Sequence, residues 1–286
     1  MSSIDDKVLT PPELHELFDS EVAGESKLRA AVSQTVLTSL TAFVLLAIWE
    51  VLSRLDPPFW PEVILSKPTE IVPAFFRAMT TGFVWTNFWV TFQETIFGFA
   101  IGSIGAFVVG VLIAVSRTFS RAVYPIVILF QTTPRVALAP VFIAWFGFGM
   151  TSKVALAAAI CFFPVLVNTI TGLSVVDENA IQLMRSLEAS KFQTFVHLRL
   201  LSAMPSIFAG LKSALTFALI GAVVAELLGS NEGVGQLLEA SSFLLQMDNV
   251  FAYMLMLGLM GLALFLIINL VESKLVFWHS NWEEDE

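Results

Sequence analysis

The chain has 286 residues, of which 56% are hydrophobic and 14% charged, and its mean hydropathy is +0.80. Soluble domains carry about 25% charged residues, so the composition describes an integral membrane protein. The net charge of −9 gathers in the two ends of the chain and says little about a substrate.

Residues 1–30 are polar and acidic, with Asp5, Asp6, Glu13, Glu16, Asp19, Glu21 and Glu25. No charged stretch precedes a short apolar core, so the expectation is a cytosolic tail, not a cleaved signal peptide. A span needs about 20 mostly apolar residues. Six segments qualify: 32–52, 91–115, 124–146, 154–176, 205–228 and 251–271. They are long, apolar and without alternation, which predicts helices.

Asp56-Pro-Pro-Phe-Trp-Pro61 cannot continue the first helix. Ser66-Lys-Pro-Thr-Glu70 reads as the start of a short helix ending near Met79. The second span carries Gly98, Gly102, Gly105 and Gly110. Small residues about four apart let membrane helices approach closely. The third span is interrupted by Pro134 and Pro140 and ends at Gly147 and Gly149. Carbonyls freed by proline are tolerated at that depth only where protein or water satisfies them. Arg135 lies in this interruption. A cation at such depth costs about 2.5–3.5 kcal/mol and faces a cavity or a partner. Two readings stand: a substrate pathway or gate, or a structural role as an ion pair with Glu94 or Glu226 or as a snorkelling group. Thr132, Thr133 and Pro134 share the pathway reading; Glu226, near the outer end of the fifth span, reads equally as a gate contact or as one member of a packing pair. Lys212 and Glu272 read as snorkelling groups at inner span ends.

Residues 177–204 form a long polar, helix-patterned loop between the fourth and fifth spans. Phe192 and Phe195 are three apart, so they share a helix face. Exposed aromatics on a polar helix suit a pocket in another subunit, or the lipid headgroups. Residues 229–250 carry no Lys or Arg and read as an outer loop that meets a partner. The chain ends in the acidic run Glu283-Glu-Asp-Glu286.

Orientation follows Lys and Arg near span ends. Lys27, Arg29, Arg117, Arg121, Arg185, Lys191, Arg199 and Lys274 lie on one side. Arg54, Lys67, Arg77 and Lys153 lie on the other. This balance predicts cytoplasmic termini and a cytoplasmic 177–204 loop. The implied organisation is a tail over 1–30, a membrane domain over 31–275 and a tail over 276–286. No internal repeat appears, and six spans make half of a symmetric pore, so a second copy is expected. One cysteine, Cys161, and three scattered histidines offer no metal or redox site. No phosphate-binding loop, zinc-protease or serine-nucleophile motif occurs. No catalytic residue, cofactor or nucleic-acid partner is expected.

Leu187-Glu-Ala-Ser-Lys-Phe-Gln-Thr-Phe195, with Ala203-Met-Pro-Ser-Ile-Phe-Ala-Gly-Leu-Lys212, resembles the coupling-loop region of ABC importer permeases. The segments 134–149 and 222–235 are similar to the nitrate/sulfonate/taurine class of binding-protein-dependent permeases. The run 210–226 also looks like permeases for pyrimidine thiamine precursors or riboflavin. The resemblance covers residues 66–271. It implies an all-α, six-helix fold of the type I (MetI-like) importer kind in a bacterial inner membrane. It implies two copies of an ATP-binding subunit docking on Gln182, Arg185, Glu188, Ala189, Ser190, Lys191, Phe192 and Phe195. It also implies an extracytoplasmic solute-binding protein and a nitrate-, sulfonate- or taurine-like anion as substrate, or alternatively a heterocycle. The family loop carries a glycine where Glu188 stands. That glycine allows a tight bend between two short helices, and Glu188 leaves the bend's geometry open. An ion-coupled carrier is the competing class, and would need an ionisable relay that Arg135 and Glu94 support only thinly.

Overall fold

The computed structural model describes residues 34, 36–55 and 65–278. The two acidic tails, apart from residues 276–278, and the proline-rich run 56–61 lie outside them. The described residues contain helices and no strand.

The chain forms two compact units, residues 1–69 and 70–286. The first contains α1 (Val36–Arg54). Its lower end is tied by Glu50, which accepts from Arg54 Nε at 2.5 Å and from Thr69 Oγ1 at 2.9 Å. Most of α1 is exposed, apart from its last turns, where Ser53 is buried.

The second unit begins within α2 (Pro68–Thr80), whose Pro68 start and length match the sequence reading. It continues through α3 (Gly82–Val115), α4 (Arg117–Thr132), a 3-10 turn (Arg135–Leu138), α5 (Ala139–Phe146) and α6 (Met150–Ser174). Then come α7 (Glu178–Ser186), α8 (Lys191–Thr194), a π-helical turn (Phe195–Leu200), α9 (Leu201–Gly229), α10 (Val234–Phe243) and α11 (Met247–Leu275). Segments α1, α3, α6, Lys191–Gly229 and α11 are each long and apolar enough to cross a membrane. The pair α4 and Arg135–Phe146 qualifies only as one span bent by 91°.

Helix α6 is the central element, packed along α3 and α9. Close approach explains the glycine stripe. A Cβ at Gly98 would overlap Ala157 Cβ, and one at Gly102 would overlap Cys161 Sγ. Without a hydrophobic force between helices in lipid, such close packing is what holds them. Ala106, Ala157, Cys161, Val165, Leu166, Ala214 and Ala218 fill the resulting core.

Three sequence expectations change. Helix α3 starts at Gly82, nine residues before the predicted span. At 1.5 Å per residue it is about 51 Å long, more than a bilayer core. Its first turns carry Trp85, Asn87, Trp89 and Thr91, which suit an interface but lower the hydropathy. Pro140 does not break the third span. It occupies the first turn of α5, where a missing N–H costs nothing, and the break falls at Thr133–Pro134. Residues 229–250 are not a plain loop, because α10 lies within them.

Candidate functional site

Two regions gather the residues expected to act. They lie at opposite ends of the second unit, with the bent α4–α5 segment between them.

At one end, α7 opens with Asp177, whose carboxylate caps Asn179 N at 2.9 Å. It closes in a six-residue capping turn. Ala189 N donates to Met184 O and Glu188 N donates to Arg185 O, each at 3.0 Å. This pattern puts the residue after the cap in the left-handed region. That residue is Glu188, at φ +54°. The bend therefore forms with Glu188 at this position, at the cost of strain in a residue with a Cβ. Ser190 then starts α8 with a reciprocal cap: its hydroxyl accepts from Gln193 N, and Gln193 Oε1 accepts from Ser190 N. Two capping devices back to back thus fix the turn 187–190.

This turn displays apolar side chains to solvent. Leu183, Leu187 and Phe192 are 61%, 69% and 74% exposed. Gln182, Arg185 and Lys191 are exposed around them. Phe195, expected to be exposed beside Phe192, is instead half-buried against Leu173, Ala203 and Ile207. The chain between the two aromatics passes from α-helix into the π-helical turn, which continues into α9 and draws Phe195 against the bundle. Leu183 and Leu187 were not singled out from sequence, although their i, i+4 spacing in a polar helix is the available signal.

The bent segment places Arg135 at its elbow. Thr132 and Thr133 turn back on their own helix, both hydroxyls donating to Leu129 O. Arg135 is half-buried, and its guanidinium stacks 4.6 Å from the Phe163 ring centre. It meets no carboxylate within ion-pair distance among the described residues, so the alternative reading as an ion pair with Glu94 or Glu226 finds no support here. Among the described residues, Arg135 is the only charged one lining a cleft of about 430 Å³. Ile101, Phe130, Phe142, Phe162 and Phe163 supply apolar walls.

Glu94 pairs instead with Lys153 at 3.4 Å, both fully enclosed. Lys153, counted from sequence as an outer charge, is an internal partner. Glu226 is also wholly buried. Its Oε1 accepts from Thr91 Oγ1 at 2.6 Å and its Oε2 from Gly235 N at 2.6 Å. Asn87 Oδ1 accepts from Gly233 N at 2.7 Å, and Thr91 Oγ1 accepts from Val234 N at 2.8 Å. Three buried side chains from α3 and α9 therefore cap the start of α10, whose N–H groups otherwise have no partner. A Cβ at Gly233, at φ +107°, would overlap the Glu226 carboxylate. Lys212 and Glu272, read as snorkelling, form an ion pair, and Lys212 Nζ also donates to Asn269 Oδ1 at 2.8 Å.

Comparison with known proteins fits this geometry. The family described as "Binding-protein-dependent transport system inner membrane component" matches residues 106–276. A putative aliphatic sulfonates transport permease protein, SsuC of Bacillus subtilis, is 31% identical over 84% of this chain and 86% of its own. The formylaminopyrimidine transport permease protein ThiX of Halalkalibacterium halodurans is 32% identical over 86% and 96%. The taurine transport system permease protein TauC of Escherichia coli is 28% identical over 88% and 94%. Among solved structures, an inward-facing MetNI methionine ABC transporter aligns with a TM-score of 0.52 at 20% identity. It covers 68% of this chain and 92% of its own, and so supports the fold. With the family come an ATPase partner and a binding protein. The chain belongs to the binding-protein-dependent transport system inner membrane components, and is a multi-pass permease subunit of an ABC importer.

Proposed function

We infer that the 187–195 turn is where a separate ATP-hydrolysing subunit docks, on the cytoplasmic side. The observation that carries this is the display of Leu183, Leu187 and Phe192 on a turn fixed by two caps. Exposed apolar groups on a rigid element are what an interface core needs. The turn runs through the π-helical segment into α9 without a break, so a push on it moves a whole span. The charge balance supports the orientation. With Lys153 internal, Arg54, Lys67 and Arg77 remain on the outer side against eight Lys and Arg on the inner. Two copies of the chain form the pore, and two ATPase subunits dock, one on each.

The substrate reading rests on Arg135. A single guanidinium at the rim of an aromatic and aliphatic cleft matches a small anion with an apolar body. Arginine offers a planar, bidentate contact to an oxyanion, and the rings accept the alkyl part. An aliphatic sulfonate has this shape, in line with the name of the Bacillus relative. A second reading, a planar heterocycle, is favoured by Phe142, Phe162 and Phe163 around the same cleft and by the ThiX likeness.

Reconstitution with the ATPase subunit and binding protein in proteoliposomes tests both parts. ATP-dependent uptake of an aliphatic sulfonate, weakly competed by a formylaminopyrimidine, supports the first reading; the opposite preference supports the second. Uptake without the ATPase subunit would contradict the coupling role.

A further inference from the structure

Beside the docking turn lies a second feature. A cleft of about 360 Å³ is lined by Arg185, Lys191 and Arg199, with Val115, Ile181 and Phe195 as its apolar parts. Among the described residues no carboxylate lies within ion-pair distance of any of the three cations. A second cleft, on residues 197 and 198 of the same π-helical turn, has Trp278 among its lining residues. Trp278 is the last described residue. The sequence beyond it is His-Ser-Asn-Trp-Glu-Glu-Asp-Glu, so four carboxylates follow within eight residues of the point where the chain leaves this face.

We propose that the acidic segment Glu283–Glu286 docks in the Arg185–Lys191–Arg199 cleft when the ATPase subunit is absent, and is displaced when that subunit binds. The reach is sufficient. An extended chain covers about 3.3–3.6 Å per residue, so the acidic run lies within about 17 to 29 Å of Trp278. The two clefts share one helical segment, one lined by residues 191, 194, 195 and 199 and the other by 197, 198, 201 and 202, and a helix is about 10–12 Å across with its side chains. Charge is complementary: the segment brings four carboxylates to three arginine and lysine heads that have no carboxylate partner among the described residues. Occupancy also has a consequence. Arg185 and Lys191 flank Leu187 and Phe192, so an acidic segment bound to them covers part of the surface assigned to the ATPase subunit. The segment then acts as a placeholder that shields the turn before the complex assembles. This effect on docking rests on the coupling role given above; the contact itself does not.

The test uses the full chain in lipid nanodiscs without ATPase subunits. Thr194, which lines the cleft, and Asp285 are replaced as Thr194→Cys and Asp285→Cys, and disulfide formation is followed under mild oxidant. Cys161 is buried and stays in place. The proposal expects rapid cross-linking. It expects about a tenfold slowing when salt rises from about 0.05 M to about 0.5 M, because exposed charges are screened. It expects a similar loss in a chain also carrying Arg185→Gln and Arg199→Gln. ATPase subunits in excess should abolish the cross-link. Equal rates with and without the two cleft substitutions, or no cross-link at all, would overturn it. So would a cross-link that appears only in discs without anionic lipid, because headgroups would then be the cleft's occupant. A cross-link that forms as described but survives saturating ATPase subunit keeps the contact and overturns the displacement. Association with the ATPase subunit that is unaffected by Phe192→Ala would count against the coupling role alone.

Discussion

Lys153 and Glu94 face each other at 3.4 Å across α6 and α3, with their side chains only 5% and 0% accessible. The pair joins two spans of the core, and neither Glu94 oxygen has a hydrogen-bond partner. Removing one partner of a buried pair leaves the other charge uncompensated, at a cost of about 3–5 kcal/mol. Lys153→Met should therefore lower the thermal midpoint sharply. Lys153→Met with Glu94→Leu should recover most of it. A single substitution with an unchanged midpoint would show that the pair is dispensable.

The cap on α10 makes a second prediction. Gly233→Ala meets both a positive φ and the Glu226 carboxylate, and backbone strain of this kind costs about 1–3 kcal/mol. Gly258→Ala in α11 meets nothing within 4 Å, and helical alanine is favoured over glycine by about 1 kcal/mol. Thermal unfolding should show a fall for the first and no fall for the second. Equal midpoints would argue against the packing of Glu226 on this turn.

Glu188 holds a conformation that costs a residue with a Cβ about 1–2 kcal/mol. Glu188→Gly should raise stability by about 1 kcal/mol, while a β-branched Glu188→Val should lower it. Hydrogen exchange of the 186–190 amides in the two variants reads this directly. A loss of protection in the glycine variant would mean that the turn is not left-handed at this position.

Much of this arrangement was legible in the sequence, and the failures have physical reasons. That the spans are helices follows from apolar length, because lipid leaves the backbone no other solution. The glycine stripe of α3 was readable as packing, since small side chains have little other use there. The partners of buried charges were not readable. Arg135, Glu94, Glu226 and Lys153 are all compatible with several pairings in one dimension, and only the packing of α3 against α6 sends Glu94 to Lys153. The bend at Glu188 was also hidden, because capping hydrogen bonds, not residue type, hold it. Phe195 looked like a partner of Phe192 because both sit on one helical period. The passage into a π-helical turn, which hydropathy does not report, lets it turn inward.

Arg135 meets no carboxylate, so Arg135→Gln should express and assemble normally. Its cation is half-exposed over Phe163, where a cation–π contact contributes about 0.5–1 kcal/mol. Uptake should fall at least tenfold if the guanidinium binds an anionic substrate, by the usual worth of a charge-assisted hydrogen bond of about 1.5–3 kcal/mol. Wild-type uptake in this variant would remove Arg135 from the pathway.

The most direct measurement of the coupling account is site-specific photocross-linking in the assembled importer. A photoreactive phenylalanine analogue is placed in turn at Phe192, Phe195 and Phe243. Phe192 is 74% exposed on the docking turn, and Phe243 is 81% exposed at the end of α10. The account predicts an adduct with the ATPase subunit from position 192. It predicts little from the half-buried 195 and none from 243. An adduct from 243, or none from 192 in a complex that hydrolyses ATP, would contradict it.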